Sequence, residues 1–241
     1  MAAVHRGMQK IAEFIQKLAS IRAAQHDSVL AKVFRGHANR EWPLRPSAYR
    51  AGGEKGIINE AALERWIRTA GPVVPSWPQN QIEWLALAQH HGVATGLLDW
   101  TFNPLIALFF ASEMNFDNGD RSDQPGCVWI LDTLECDQFT HTLMVDPFAV
   151  DRTKPAFLPV LGANLRAKSQ FGAMTLHSPP LGDEEIVFPN ECARQIFVVE
   201  PNDKSPVRKA LGVLGINNRT VFINLDAAAE EFRNRAVSFR K

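Results

Sequence analysis

The chain has 241 residues, is 46% hydrophobic, and carries 26 Lys+Arg against 26 Asp+Glu, a formal net charge of zero. That balance lacks the basic excess of a dedicated nucleic-acid binder, and the length suffices to bury a core without staples. Three cysteines without C-x-x-C spacing argue against a disulfide framework or a zinc site. No window approaches the roughly 18 apolar residues of a membrane span, and the N-terminus carries no apolar signal region. The expectation is a cytoplasmic protein with reduced, packed cysteines and no membrane association.

Met8, Ile11, Phe14, Ile15, Leu18 and Ile21 recur at helical spacing, which predicts an amphipathic N-terminal helix within residues 1–26 that packs on the rest. Val29 to Phe34 reads as a strand running into a turn at Gly36. His37 to Gly53 reads as an ordered loop, and Arg35 to Arg50 holds four arginines against one acid, Glu41. Asn59 should cap a helix with Leu63, Trp66 and Ile67 on one face. The three prolines of Gly71 to Gln79 make a connection. A helix over Asn80 to His91 should end at Gly92. Leu97 and Leu98 form a short buried segment, and Asn103-Pro104 opens a helix that is apolar nearly all round.

Met114 to Gly126 reads as a polar surface loop and Cys127 to Leu131 as a buried strand. Further on, Met174 to Leu176 and Gln195 to Glu200 look like strands. Ser205-Pro206 starts a helix ended by Gly212 or Gly215, Val221 to Asn224 reads as a strand, and Asp226 starts a last helix. No linker and no repeat divides the chain. The fold class is therefore mixed α+β: one domain with a central mixed sheet and a helical N-terminal region, the main body running over 27–226 and a C-terminal helix over 227–241.

The phosphate-loop, dinucleotide, zinc-protease and serine-hydrolase signatures are absent. Three clusters remain. In the first, Phe34-Arg35-Gly36-His37 is followed by Trp42 to Ser47, which includes Arg45. An arginine at a strand end can present a rigid fork to a phosphate or carboxylate, and glycine beside it lets a ligand approach the backbone. The alternative is an arginine closing an internal salt bridge. In the second, Gln89-His90-His91-Gly92 precedes Leu98-Asp99-Trp100-Thr101 and Asn103. Adjacent helical histidines point about 100° apart, so one is expected to face a cleft with Asp99 and the other to be buried. Histidine beside aspartate is an acid/base pair; the alternatives are satisfied core histidines and a turn aspartate. The third, Asn164 to Gly172, mixes Arg166, Lys168 and Gln170, and reads otherwise as a solvated helix end before a strand.

These clusters resemble the FRG-domain family. The match lies in Phe34-Arg35-Gly36, His90 to Ala111 (HHGVATGLLDWTFNPLIALFFA), Arg166 to His177 and Ala210 to Asp226, and covers roughly 27–226. Ala173 and Met174 stand where the family carries an aromatic. A more distant likeness is to ADP-ribosyltransferases, with Arg35 in the place of the residue that holds NAD; Gln170 and Gly172 stand where those enzymes carry a late glutamate.

The resemblance implies action on NAD or a related nucleotide, by ADP-ribosyl transfer or NAD cleavage, in a bacterial toxin or phage-defence effector. Arg35, His91, Asp99 and Gln170 would be the catalytic set, converging on one cavity of roughly 300 Å³ or more. Gly36, His37, Arg45, His90, Thr101, Asn103 and Arg166 would contact substrate. NAD is the expected substrate, with no metal. The expected partners are a nucleotide or other small-molecule ligand and a nucleic-acid or protein acceptor, and the oligomeric state stays open. The alternatives are a non-catalytic nucleotide- or nucleic-acid-binding module and a metal-dependent hydrolase or nuclease.

Overall fold

A computed structural model describes residues 2–23, 32–50, 56–116, 119–138, 145–150, 152–159, 172–179 and 192–222. Its centre is a seven-stranded mixed sheet in the order β6-β7-β8-β2-β1-β5-β9. The strands are β1 (Lys32–His37), β2 (Leu97–Thr101), β5 (Gly126–Asp132), β6 (Asp137–Gln138), β7 (Ala156–Pro159), β8 (Gly172–Leu176) and β9 (Ala193–Val199); β3 (Asn115–Phe116) and β4 (Gly119–Asp120) form a separate ribbon. Among the described residues, only β6 and β7 pair in parallel. The mixed α+β class expected from the sequence is the one observed.

Helix α1 (Ala2–Ala23) leads the chain. Asn59, Asn80 and Asn103 cap α2 (Glu60–Ala70), α3 (Gln81–His90) and α4 (Pro104–Ala111) through their side chains, as the sequence signals require. His91 closes α3, and Gly92 follows at φ 79°, a conformation natural to glycine. Among the described residues no helix is long and apolar enough to cross a membrane.

Period-two alternation along β1 sorts its side chains between two layers. Phe34 joins the cluster under α1, α4 and α5 (Pro201–Val213), which includes Phe14, Phe109 and Leu211. Val33 joins another with Leu98, Trp100, Leu131 and Phe157. A third cluster packs α2 and α3 over Leu97, Leu158 and Leu176.

Three elements differ from expectation. Strand β1 continues through Gly36 to His37, because both neighbouring strands pair with it and β5 pairs along its whole length. Helix α5 begins at Pro201, the first-turn proline that fits, and Pro206 lies inside it. Val221 ends a helical turn, α6 (Asn218–Val221), fixed by reciprocal Asn217–Thr220 capping bonds rather than by strand pairing. The helix expected over 227–241 lies outside the described residues.

Candidate functional site

Strands β1 and β2 are neighbours but share a single register pair, Phe34 with Thr101. A cavity of about 220 Å³ lies between them. Phe34 to His37 and Asp99 to Thr101 line it from the strands, and Ala38, Trp42, Arg50 and Phe110 line it from the following loop and from α4.

Arg35 and His37 are two residues apart on one strand face, so their side chains meet. The Arg35 Nε–H donates to His37 Nε2 at 3.0 Å, and Arg35 Nη1 donates to the Asp99 carbonyl at 2.7 Å. Nδ1 of His37 lies 3.2 Å from the Trp42 carbonyl, which only accepts, so the hydrogen sits on Nδ1 and Nε2 is the acceptor for Arg35. Burial, followed by the Arg35 charge, pushes the pKa of His37 down to about 3. Burial also lowers that of Arg35, with Asp99 opposing the shift and Arg50 adding to it; a guanidinium stays charged regardless. Arg35 makes no ion pair among the described residues. Its other three N–H donors have no partner among them.

Asp99 is exposed, and it alternates with the buried Leu98 and Trp100. Its Oδ2 accepts from Gln89 Nε2 at 2.7 Å, and Gln89 Oε1 accepts from the Thr95 hydroxyl at 2.6 Å. The charged lining thus consists of two arginines and one carboxylate around an aromatic wall.

Of the residues expected at the site, Arg35, Asp99, Gly36, His37 and Thr101 line the cavity. Gln170 and Arg166 lie outside the described residues. His90 and His91 do not line it: both are exposed at the end of α3, edge to face at 5.0 Å, so neither is the buried histidine expected there. The group that reaches Asp99 from α3 is Gln89. Asn103 spends its side-chain oxygen on the Leu105 amide at 2.9 Å, which removes that amide from the expected phosphate position. Arg45 lies away from the lining, with its buried Nε lacking a partner among the described residues. Over Gly36, the space expected to admit a ligand is filled by the Ala107 carbonyl and the Ala111 amide of α4.

Trp42 belongs to the first sequence cluster, whereas Phe110 carries no local signal of a site. The arginine density of residues 35–50 was the only hint of Arg50.

A second buried polar group backs this region. The Trp100 indole N–H donates to Thr175 Oγ at 2.9 Å, and Thr175 Oγ shares a further hydrogen bond with His177 Nε2, also at 2.9 Å. Burial, then Arg152 and Arg35, push the pKa of His177 down to about 3. Both His37 and His177 are 4% exposed. In the unfolded chain they titrate near 6.5, so below that value the unfolded state binds protons that the folded state refuses. Stability therefore falls as pH drops from 6.5 towards 3. Each histidine is expected to cost about 2 kcal/mol between pH 7 and pH 5. Melting curves across that range check this, and His177→Gln should flatten the acid limb by about half.

Residues 31–120, which hold β1, β2, α4 and the cavity, match the family model of the FRG domain. No curated protein and no solved structure matches the chain, so the likeness to ADP-ribosyltransferases gains nothing from them. The cavity between β1 and β2 thus lies within the segment, residues 31–120, that is similar to the FRG domain.

Proposed function

We propose that the cavity binds a phosphorylated nucleotide, with NAD the first choice, and that Arg35 holds its phosphate. The observation that carries this reading is the state of Arg35. Its guanidinium is oriented by His37 and by the Asp99 carbonyl, yet three of its N–H donors have no partner among the described residues, and Arg35 lines the cavity. A preoriented planar fork suits phosphate oxygens. The neutral His37 leaves a net positive lining of Arg35, Arg50 and Asp99, which favours an anion, and Trp42 and Phe110 add aromatic surface to the wall. At about 220 Å³ the cavity is smaller than the roughly 300 Å³ of drug-sized sites, so it takes one half of a dinucleotide and leaves the other outside.

Arg35→Lys keeps the charge and loses the fork. It is expected to weaken binding of NAD or adenosine 5′-monophosphate about tenfold to a hundredfold by calorimetry, with a melting temperature within about 6 °C of the wild type. A variant that binds as tightly as the wild type would sink the reading. Incubation of the wild type with NAD then separates an enzyme, which releases nicotinamide, from a binding module, which returns NAD intact.

A further inference from the structure

We infer that Gln89 is a positioning residue for Asp99, and that the Thr95–Gln89–Asp99 chain makes the cavity select ligands that carry sugar hydroxyls beside their phosphate. This rests on the nucleotide reading above.

The chain has a fixed direction. Thr95 is fully buried, and its Oγ lies 3.3 Å from the Leu97 amide, which can only donate. The threonine hydroxyl therefore accepts there and gives its own hydrogen to Gln89 Oε1 at 2.6 Å. The glutamine amide is then oriented by its network, with oxygen towards Thr95 and NH2 towards Asp99 Oδ2 at 2.7 Å. A flipped amide would set two acceptors face to face. Ser47 anchors the start of the chain by accepting from the Thr95 amide at 3.2 Å.

Held in this way by Oδ2, the Asp99 carboxylate has no partner for Oδ1 among the described residues, and Asp99 lines the cavity. A carboxylate oxygen accepts and a guanidinium only donates. A ligand that satisfies both ends must bring an anion for Arg35 and a hydroxyl or N–H donor for Asp99 on one molecule. A ribose phosphate does so. Inorganic phosphate, or a nucleotide stripped of its ribose hydroxyls, leaves Asp99 unanswered. A hydrogen bond to a charged group corresponds to about tenfold to a hundredfold in affinity.

The test is calorimetric titration of the full chain with adenosine 5′-monophosphate and with 2′,3′-dideoxyadenosine 5′-monophosphate. The wild type should bind the ribonucleotide about tenfold to a hundredfold more tightly. Gln89→Met should bring that ratio towards one while affinity for the dideoxy compound stays unchanged. Thr95→Ser, which keeps the hydroxyl, should preserve the ratio. A merely structural loss would weaken both ligands together, so a Gln89→Met protein that keeps the wild-type ratio overturns the inference. Should that variant fail to fold, the wild-type ratio still decides. Equal, Arg35-dependent affinity for both compounds overturns the hydroxyl selection and leaves the nucleotide reading standing. No binding of either compound removes both.

Discussion

Gly36→Ala is expected to destabilise the protein by more than about 4 kcal/mol, enough to prevent recovery of folded chain. A Cβ built at Gly36 would lie 1.9 Å from the Ala107 carbonyl oxygen, 2.6 Å from the Ala111 amide nitrogen and 2.9 Å from the Phe110 Cβ. Two of those atoms are helix backbone, so no side-chain rotation relieves the overlap. The strand cannot yield either, because β1 lies inside the sheet between β2 and β5. Gly126 on β5 admits the same helix: its Cβ would meet the Ala111 carbonyl at 1.9 Å. In the Phe-Arg-Gly tripeptide, Phe34 thus fills the core, Gly36 seats α4, and Arg35 is left to face the cavity. Denaturant unfolding measures the effect, and a Gly36→Ala protein within 1 kcal/mol of the wild type would contradict this packing.

Lys204→Met comes next in size. Lys204 on α5 is fully buried, and its ammonium donates to the carbonyls of Ala38 at 2.7 Å, Glu113 at 3.1 Å and Arg121 at 2.6 Å. It joins the chain after β1, the end of α4 and the loop before β5. Methionine fills similar volume but leaves three carbonyls without a donor, at a cost of about 3–5 kcal/mol. The melting temperature should fall by roughly 10 °C. Lys204→Arg should also destabilise, since a planar fork cannot replace three converging donors. Because Ala38 lines the cavity, nucleotide affinity should fall along with stability. A Met variant with an unchanged melting curve would show that the carbonyls find other partners.

Local signals carried much of the fold. The asparagine caps, the apolar α4 and the Gly92 stop are each set by a few adjacent residues, and each was legible. That Arg35 and Asp99 line a cavity was legible too, since they are polar residues beside runs that had to be core. The rest depended on contacts distant in sequence. Lys204 is 166 positions from Ala38, and nothing in the pattern of α5 marks it as a cation for three carbonyls. The histidine pair drew attention through its chemistry, but the end of α3 leaves both rings in solvent. The side chain one position earlier is the one turned towards Asp99. Gly36 was legible as a position where something comes close, and the sequence did not reveal that the visitor is α4. Pro206 looked like a helix start because nothing local distinguished it from Pro201, which takes that place.

In the proposed nucleotide site Arg35 and Asp99 are the two ends that one ligand bridges. A crystal structure of the protein grown with saturating adenosine 5′-monophosphate or NAD tests it most directly. The expected result is a phosphate oxygen about 3 Å from the Arg35 guanidinium and a ribose hydroxyl about 3 Å from Asp99 Oδ1. A nucleotide bound elsewhere on the chain, or a cavity still empty at saturation, would contradict it.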